Sequence, residues 1–414
     1  MLNALASTIT REKFPQLDGD VVVPSSRFLF LNLGHSIDHL FMLMFPAVAA
    51  LAATDLSASY GEVLSLATGS FIAFGVFSLP MGWLADRLSR EFMMTVFFLG
   101  IGVAMIFTSF STETWQIFGS LILVGMFAAI YHPVGLAMVS QGGGDIGRRL
   151  GVNGVWGNMG VAASALLVGV FADFAGWREA FLLAGVSSIL VGCGWIQNIR
   201  KMVADTSANK KKSNAPALNW QRVLLIVAIT TTIGGFIFNS MTVSLPKVLD
   251  DRLAVFAMGA TEVGAIASLV YASAAFTQVL VGRAIDKYSI KPIFLALVAG
   301  QAITLYLAIM ADGWLMVAIA VLVMVMVFGQ IPINDTLIAR YTPDAWRGRV
   351  YSIKYVLSFT VSAAAVPSIA WLYEGAGGFS TMFNLAAIAA FIITVTVTFM
   401  PGGKPSSDSL EPAE

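Results

Sequence analysis

Twelve apolar runs of about twenty residues each, joined by short connections, leave this chain few ways to fold. A bilayer core about 30 Å thick is crossed by about 20 helical residues. In hydrocarbon only helices and closed barrels satisfy their own backbone polar groups. The runs lie at about 28–52, 62–84, 92–110, 115–139, 150–173, 178–198, 222–247, 262–284, 291–311, 313–339, 349–373 and 378–400. With 57% hydrophobic and only 12% charged residues, and a mean hydropathy of +0.80, the chain lies far outside the soluble range.

The one long polar connection, IRKMVADTSANKKKSNAPALNW, falls between the sixth and seventh runs. It divides the chain into a tail (1–27), a six-helix bundle (28–198), a linker (199–221), a second bundle (222–400) and a Pro/Ser/acidic tail (401–414) expected to be disordered. The first 27 residues lack the apolar core and cleavage site of a signal peptide and read as a soluble tail. The net charge is zero, so only its distribution informs. If both termini and the linker share one side, that side carries 21 of the 24 Lys and Arg, leaving Arg178, Lys247 and Arg252 opposite. The positive-inside rule then predicts cytoplasmic termini. The single cysteine, Cys193, cannot form an intramolecular disulfide and is expected to be a small buried hydrophobe.

A shift of 200 residues lays Pro46 on Pro246, Glu62 on Glu262, Gly82 on Gly282 and Asp86 on Asp286. GWLADR (82–87) thereby overlays GRAIDK (282–287), each after the second span of its half. Such duplication predicts an all-α membrane protein of twelve transmembrane helices in two pseudo-symmetric six-helix bundles, with a site near the midplane.

The loop GWLADRLSRE is similar to the signature of the major facilitator superfamily, Gly-x-Leu-x-Asp-Arg-x-Gly-Arg-basic. Gly82, Leu84, Asp86, Arg87 and Arg90 match, whereas Ser89 and Glu91 replace the second glycine and the final basic residue. The segment YHPVGLAMVSQGGGDIGRRLGVNGVWGNMG (131–160) resembles the fosmidomycin-resistance family within it, as do His35 and Pro46 of the first span; Asp38-His39 stand where that family has Asn-Asp. The superfamily resemblance implies that helices one, four, seven and ten line a central cavity. It also implies that Asp86, with Gly82, Arg87 and Arg90, latches the cytoplasmic side, and that Gly282 and Asp286 form a weaker symmetric latch.

GHSIDHLFMLMFP (34–46) has the apolar density of a span yet carries His35, Asp38 and His39. At i, i+3 and i+4 the three share one helical face, and ionisable residues at that depth are costly enough to suggest function. A proton site is one reading, with Asp38 as carrier and His35 and His39 assisting. Helix-packing hydrogen bonds are a second. A divalent cation held by these residues and His132 is a third. His132, before Pro133, is as readily a bend as a ligand. With it we place Asn153, Trp156, Asn158, Asn239, Gln330, Asn334, Asp335 and Lys354 in the substrate cavity. Lys354 either pairs with Asp335 or snorkels to the surface. Gly151, Gly154, Gly157 and Gly160 form a stripe that lets a neighbouring backbone approach closely.

No GxxxxGK[ST] loop and no GxSxG elbow occurs, so ATP drive and acyl chemistry have no support. The arginine of span four and the GPxxGG-type motif of span five found in many drug/proton antiporters of the superfamily are missing too. The reading is a monomeric, non-enzymatic secondary transporter of the bacterial inner membrane. It exports a small organic compound, a drug or organic anion, in exchange for protons, with no cofactor and no nucleic-acid partner. Efflux rests on the family resemblance alone. The alternatives are divalent metal export through the His/Asp cluster and a non-transporting receptor or assembly partner.

Overall fold

The structure, a computed structural model, describes residues 25–139, 146–202, 220–342, 344–375 and 377–401. Among the described residues twelve helices are long and apolar enough to cross a membrane: span one (Ser26–Asp55), two (Tyr60–Ala85), three (Arg90–Phe110), four (Thr114–Val139), five (Arg149–Phe174), six (Trp177–Ile199), seven (Trp220–Arg252), eight (Ala260–Ile285), nine (Ile290–Ala308), ten (Gly313–Ile338), eleven (Val356–Gly375) and twelve (Gly378–Thr398). No strand occurs among the described residues. The largest departure from expectation is at span eleven. Its helix begins at Asp344, and its polar first turns, which include Lys354, precede the apolar stretch.

The 200-residue repeat reappears as backbone geometry. The turns after spans one and seven each place a non-glycine residue in the left-handed region, Ser57 (φ 50°) and Ala257 (φ 48°). Such residues are uncommon, so two at equivalent positions mark a shared turn. Span four changes character at Ile130, where Tyr131–Gly135 form a π-helical turn. Span ten breaks at Gln330, between helices Gly313–Gly329 and Ile331–Tyr341. Pro133 and Pro332 sit at these breaks, each removing a backbone donor. The packing is duplicated too. Span one lies on five, three on six and two on four, as seven lies on eleven, nine on twelve and eight on ten.

The described residues form two compact units, those within 1–211 and 257–269 and those within 212–256 and 270–414. The start of span eight groups with the first unit because small residues let it come close to span five. A Cβ on Gly169 would meet the Ala260 carbonyl oxygen at 2.4 Å, and one on Gly264 the Ala165 oxygen at 2.4 Å. Asp173 then accepts the Thr261 backbone N–H at 2.8 Å, a helix N-cap.

Large apolar side chains such as Val76, Leu190, Leu269 and Trp371 are exposed, as a lipid-facing wall requires. Cys193 joins them. It is exposed rather than buried, because an apolar residue in a spanning helix suits lipid as well as core.

Candidate functional site

The polar centre of the first unit forms where spans one, four and five meet. Asp38 is 1% exposed and His35 7%. His132 presents Nε2 to Asp38 Oδ2 at 3.2 Å, while Asp38 Oδ1 has no hydrogen-bond partner among the described residues. A buried carboxylate with only one oxygen engaged is costly. His132 reaches it from the π-helical turn, a distortion frequent at functional sites.

His35 is held more firmly. Its Nδ1 lies 2.7 Å from the Asn153 carbonyl oxygen. A carbonyl only accepts, so Nδ1 carries the proton, and in the neutral ring Nε2 is the acceptor. His39 Nε2, at 3.1 Å, must then donate to it. The ring stacks on Tyr131, with centroids 4.9 Å apart. Tyr131 Oη donates to the Leu31 carbonyl at 2.8 Å, and Asn153 Nδ2 donates to Tyr131 Oη and to Asn32 Oδ1, both at 2.9 Å. Span five can supply these contacts because it has no side chain at two positions. A Cβ on Gly157 would lie 2.8 Å from His35 Nε2, and one on Gly160 only 2.2 Å from the Ser36 carbonyl oxygen. Ser36 Oγ donates to the Trp156 carbonyl at 2.5 Å. Of the expected stripe, Gly157 and Gly160 make the close approach, whereas Gly151 faces open space.

The structure thus brings together His35, Asp38, His39, His132 and Asn153; the half-buried Trp156 contributes its backbone carbonyl and Asn158 is buried. Asn32 and Tyr131 belong to the same network without having been singled out. The signals were present: Asn32 precedes His35 by three residues and Tyr131 adjoins His132.

The second unit combines neutral amide and hydroxyl groups with an ion pair. Gln330 Nε2 donates to Gln301 Oε1 at 2.8 Å. Thr230 Oγ1 donates to Asn334 Oδ1 at 3.1 Å, and Asn334 Nδ2 to the Gln330 carbonyl at 3.3 Å. Asn239 Nδ2 turns back on its own helix, to the Gly235 carbonyl at 2.8 Å. Lys354 is ion-paired with Asp335, so pairing rather than snorkelling describes it. At the places of His35 and Asp38 the repeat carries Gly235 and Phe238, and all three histidines lie in the first unit.

Of the expected latch residues, Gly82 faces Pro133, its Cβ position 3.3 Å away, whereas Gly282 faces open space. Arg87 stacks 3.7 Å over Trp83, and Arg90 opens span three just after the Ser89 cap. The side chains of Asp86 and Asp286 lie outside the described ones. Glu91 ion-pairs at 2.7 Å with Arg27, which is 1% exposed, and its carbonyl accepts the Trp195 indole N–H at 3.1 Å. Arg27 is therefore no part of a solvated tail. The three basic residues expected on the opposite side are also paired: Arg178 with Asp55, Lys247 with Asp250 and Asp251, Arg252 with Asp312.

Residues 31–261 and 248–414 match the family model of the Major Facilitator Superfamily. The chain belongs to this superfamily. It is 23% identical over 363 residues to the multidrug resistance protein MdtG of Proteus mirabilis, covering 85% of this chain and 89% of that one. It is also 22% identical to the methylenomycin A resistance protein of Bacillus subtilis, over 51% of this chain and 50% of that protein. With the probable L-galactonate transporter of Escherichia coli it shares 27% identity, over 41% of this chain and 38% of that one. The chain thus spans half or less of the length of these last two relatives. Among solved structures, the D-xylose–proton symporter superposes with a TM-score of 0.73 at 14% identity, covering 91% of this chain and 98% of that one. A bacterial homologue of the lysosomal transporter Spinster gives 0.71 at 12%, covering 92% and 97%. These likenesses establish the major facilitator fold.

Proposed function

We propose that this superfamily member exports a small organic compound from the bacterial cytoplasm in exchange for protons, by alternating access, with both termini cytoplasmic. Asp38 carries the proton, His132 is its immediate partner, and His35 and His39 extend the path. The observation that carries the reading is Asp38 itself, a carboxylate buried in span one with one oxygen on an imidazole and the other unengaged. A group so placed is stable only if it gains a proton or a partner during its cycle. The absence of histidine from the second unit supports the same division, with proton handling in the first unit and substrate contacts shared by Gln330, Asn334 and the Asp335–Lys354 pair. Efflux is supported by the relatives named for methylenomycin A and multidrug resistance and by the resemblance of residues 131–160 to the fosmidomycin-resistance family.

The test is antimicrobial susceptibility, fosmidomycin included, of a pump-deleted bacterium expressing wild type or Asp38→Asn at equal membrane levels. Resistance conferred by wild type and lost in the variant is the expected outcome. Resistance that persists in Asp38→Asn would remove Asp38 from the mechanism.

A further inference from the structure

We propose that His35, His39 and His132 form a site for a divalent transition metal, with three imidazole nitrogens as ligands and a fourth position open. The inference shares side chains with the transport reading but does not rest on it, because metal can occupy the cluster whether or not protons move through it.

One ligand nitrogen from each of the three rings lies within 4.8 Å of the others. The ring centroids form a near-equilateral triangle with sides of 4.8, 5.4 and 5.6 Å. The His35 and His39 Nε2 atoms are 3.1 Å apart, close to the about 3.3 Å that two ligands at 2.0–2.1 Å subtend in a tetrahedron. A nitrogen of His132 lies within 4.8 Å of both and supplies the third ligand.

The outer contacts fit metal ligation as well as the spacing does. A ligating histidine usually donates its other ring N–H to a carbonyl or carboxylate, which fixes the tautomer and aims the lone pair at the metal. His35 donates Nδ1–H to the Asn153 carbonyl at 2.7 Å, turning the Nε2 lone pair toward His39. His132 has the Asp38 carboxylate at 3.2 Å from Nε2, which leaves Nδ1 as its ligating nitrogen. Two of the three imidazoles are thus oriented from behind by oxygen acceptors, and Asp38 also offsets the ion's charge. His39 and His132 are only partly buried, so the cluster can be reached. Three imidazoles favour zinc, cobalt, nickel or copper over magnesium or calcium, which require oxygen ligands.

The experiment uses the full-length protein, purified in detergent with its affinity tag removed. Cobalt(II) is titrated while visible absorption is recorded, and zinc affinity is read by competition with a chromophoric chelator. We expect one cobalt per chain, with the intense d–d bands of a four-coordinate site, displaced by zinc and unaffected by excess magnesium. His35→Ala and His39→Ala abolish the bands. Asp38→Asn retains the ligands but loses an orienting charge, and weakens zinc binding by about 10–100-fold. Thermal melting identifies any variant that has merely unfolded; His39→Gln, at a partly buried corner, serves as the folded control. Absent bands in wild type, or bands that survive in folded His39→Gln and His39→Ala, would overturn the site. Neither result bears on resistance in cells, so failure here is distinguishable from failure of the transport reading.

Discussion

Replacing Gly160 with alanine should separate spans one and five, whereas the same change at Gly157 should damage only the cluster. At Gly160 the new methyl would sit 2.2 Å from the Ser36 carbonyl oxygen. Ordinary contact begins near 3.4 Å, so more than 1 Å must be recovered, and backbone has no rotamer to yield. Overpacking of this kind costs about 1–3 kcal/mol or more, and alanine's helix propensity returns about 1 kcal/mol. A net loss on the order of 2 kcal/mol follows. At Gly157 the methyl meets the His35 ring at 2.8 Å, so about 0.6 Å must be found, and a side chain can supply it. Stability then changes by about 1 kcal/mol or less. The atoms struck, however, are Cε1, Nε2 and Cδ2, the side of the ring that faces His39, so the 3.1 Å contact between the rings cannot survive unchanged. Thermal unfolding of the detergent-solubilised variants, read beside resistance in cells, separates the two effects. Gly160→Ala melts well below wild type, and Gly157→Ala melts near it but confers less resistance. A Gly160→Ala protein as stable as wild type would refute the close-approach argument.

Four further predictions follow from the same contacts. Arg27→Met should cost about 3–5 kcal/mol, because it strips a buried carboxylate of its guanidinium, and Arg27→Met with Glu91→Leu should recover most of that loss; chemical denaturation of the three proteins checks both. Lys354→Ala, which breaks a partly exposed pair with Asp335, should cost about 1 kcal/mol or less by the same measurement. Asp173→Ala removes the acceptor of the Thr261 N–H and should cost about 1 kcal/mol, seen as faster amide hydrogen exchange confined to the first turn of span eight. Asn153→Ala keeps the carbonyl that holds His35 but loses the side-chain bonds to Tyr131 and Asn32; resistance should fall without loss of expression, and Asn153→Ser should restore part of it.

The twelve spans and their duplication were legible because a bilayer imposes a length and a polarity on every crossing, and both are written in local sequence. The site was legible only in part. His35, Asp38 and His39 share a face by spacing alone, but His132 lies 94 positions beyond Asp38 and joins it through a π turn that no periodicity encodes. Arg27 shows the limit most clearly. Basic residues near a span end read as charges at the cytoplasmic surface, and only the fold shows that Glu91, 64 residues away, draws this one into the interior. Cys193 failed for the opposite reason, because in lipid apolarity no longer separates inside from outside. The pairing of Lys354 with Asp335 was one of two open choices, and a separation of 19 positions could not decide it.

Proton exchange at Asp38 is tested most directly in everted membrane vesicles carrying an imposed pH gradient, read with a pH-sensitive fluorophore. A compound to which the wild type confers resistance should dissipate the gradient in wild-type vesicles and leave it intact in Asp38→Asn vesicles of equal protein content. Equal dissipation in both would contradict the assignment of the proton to Asp38.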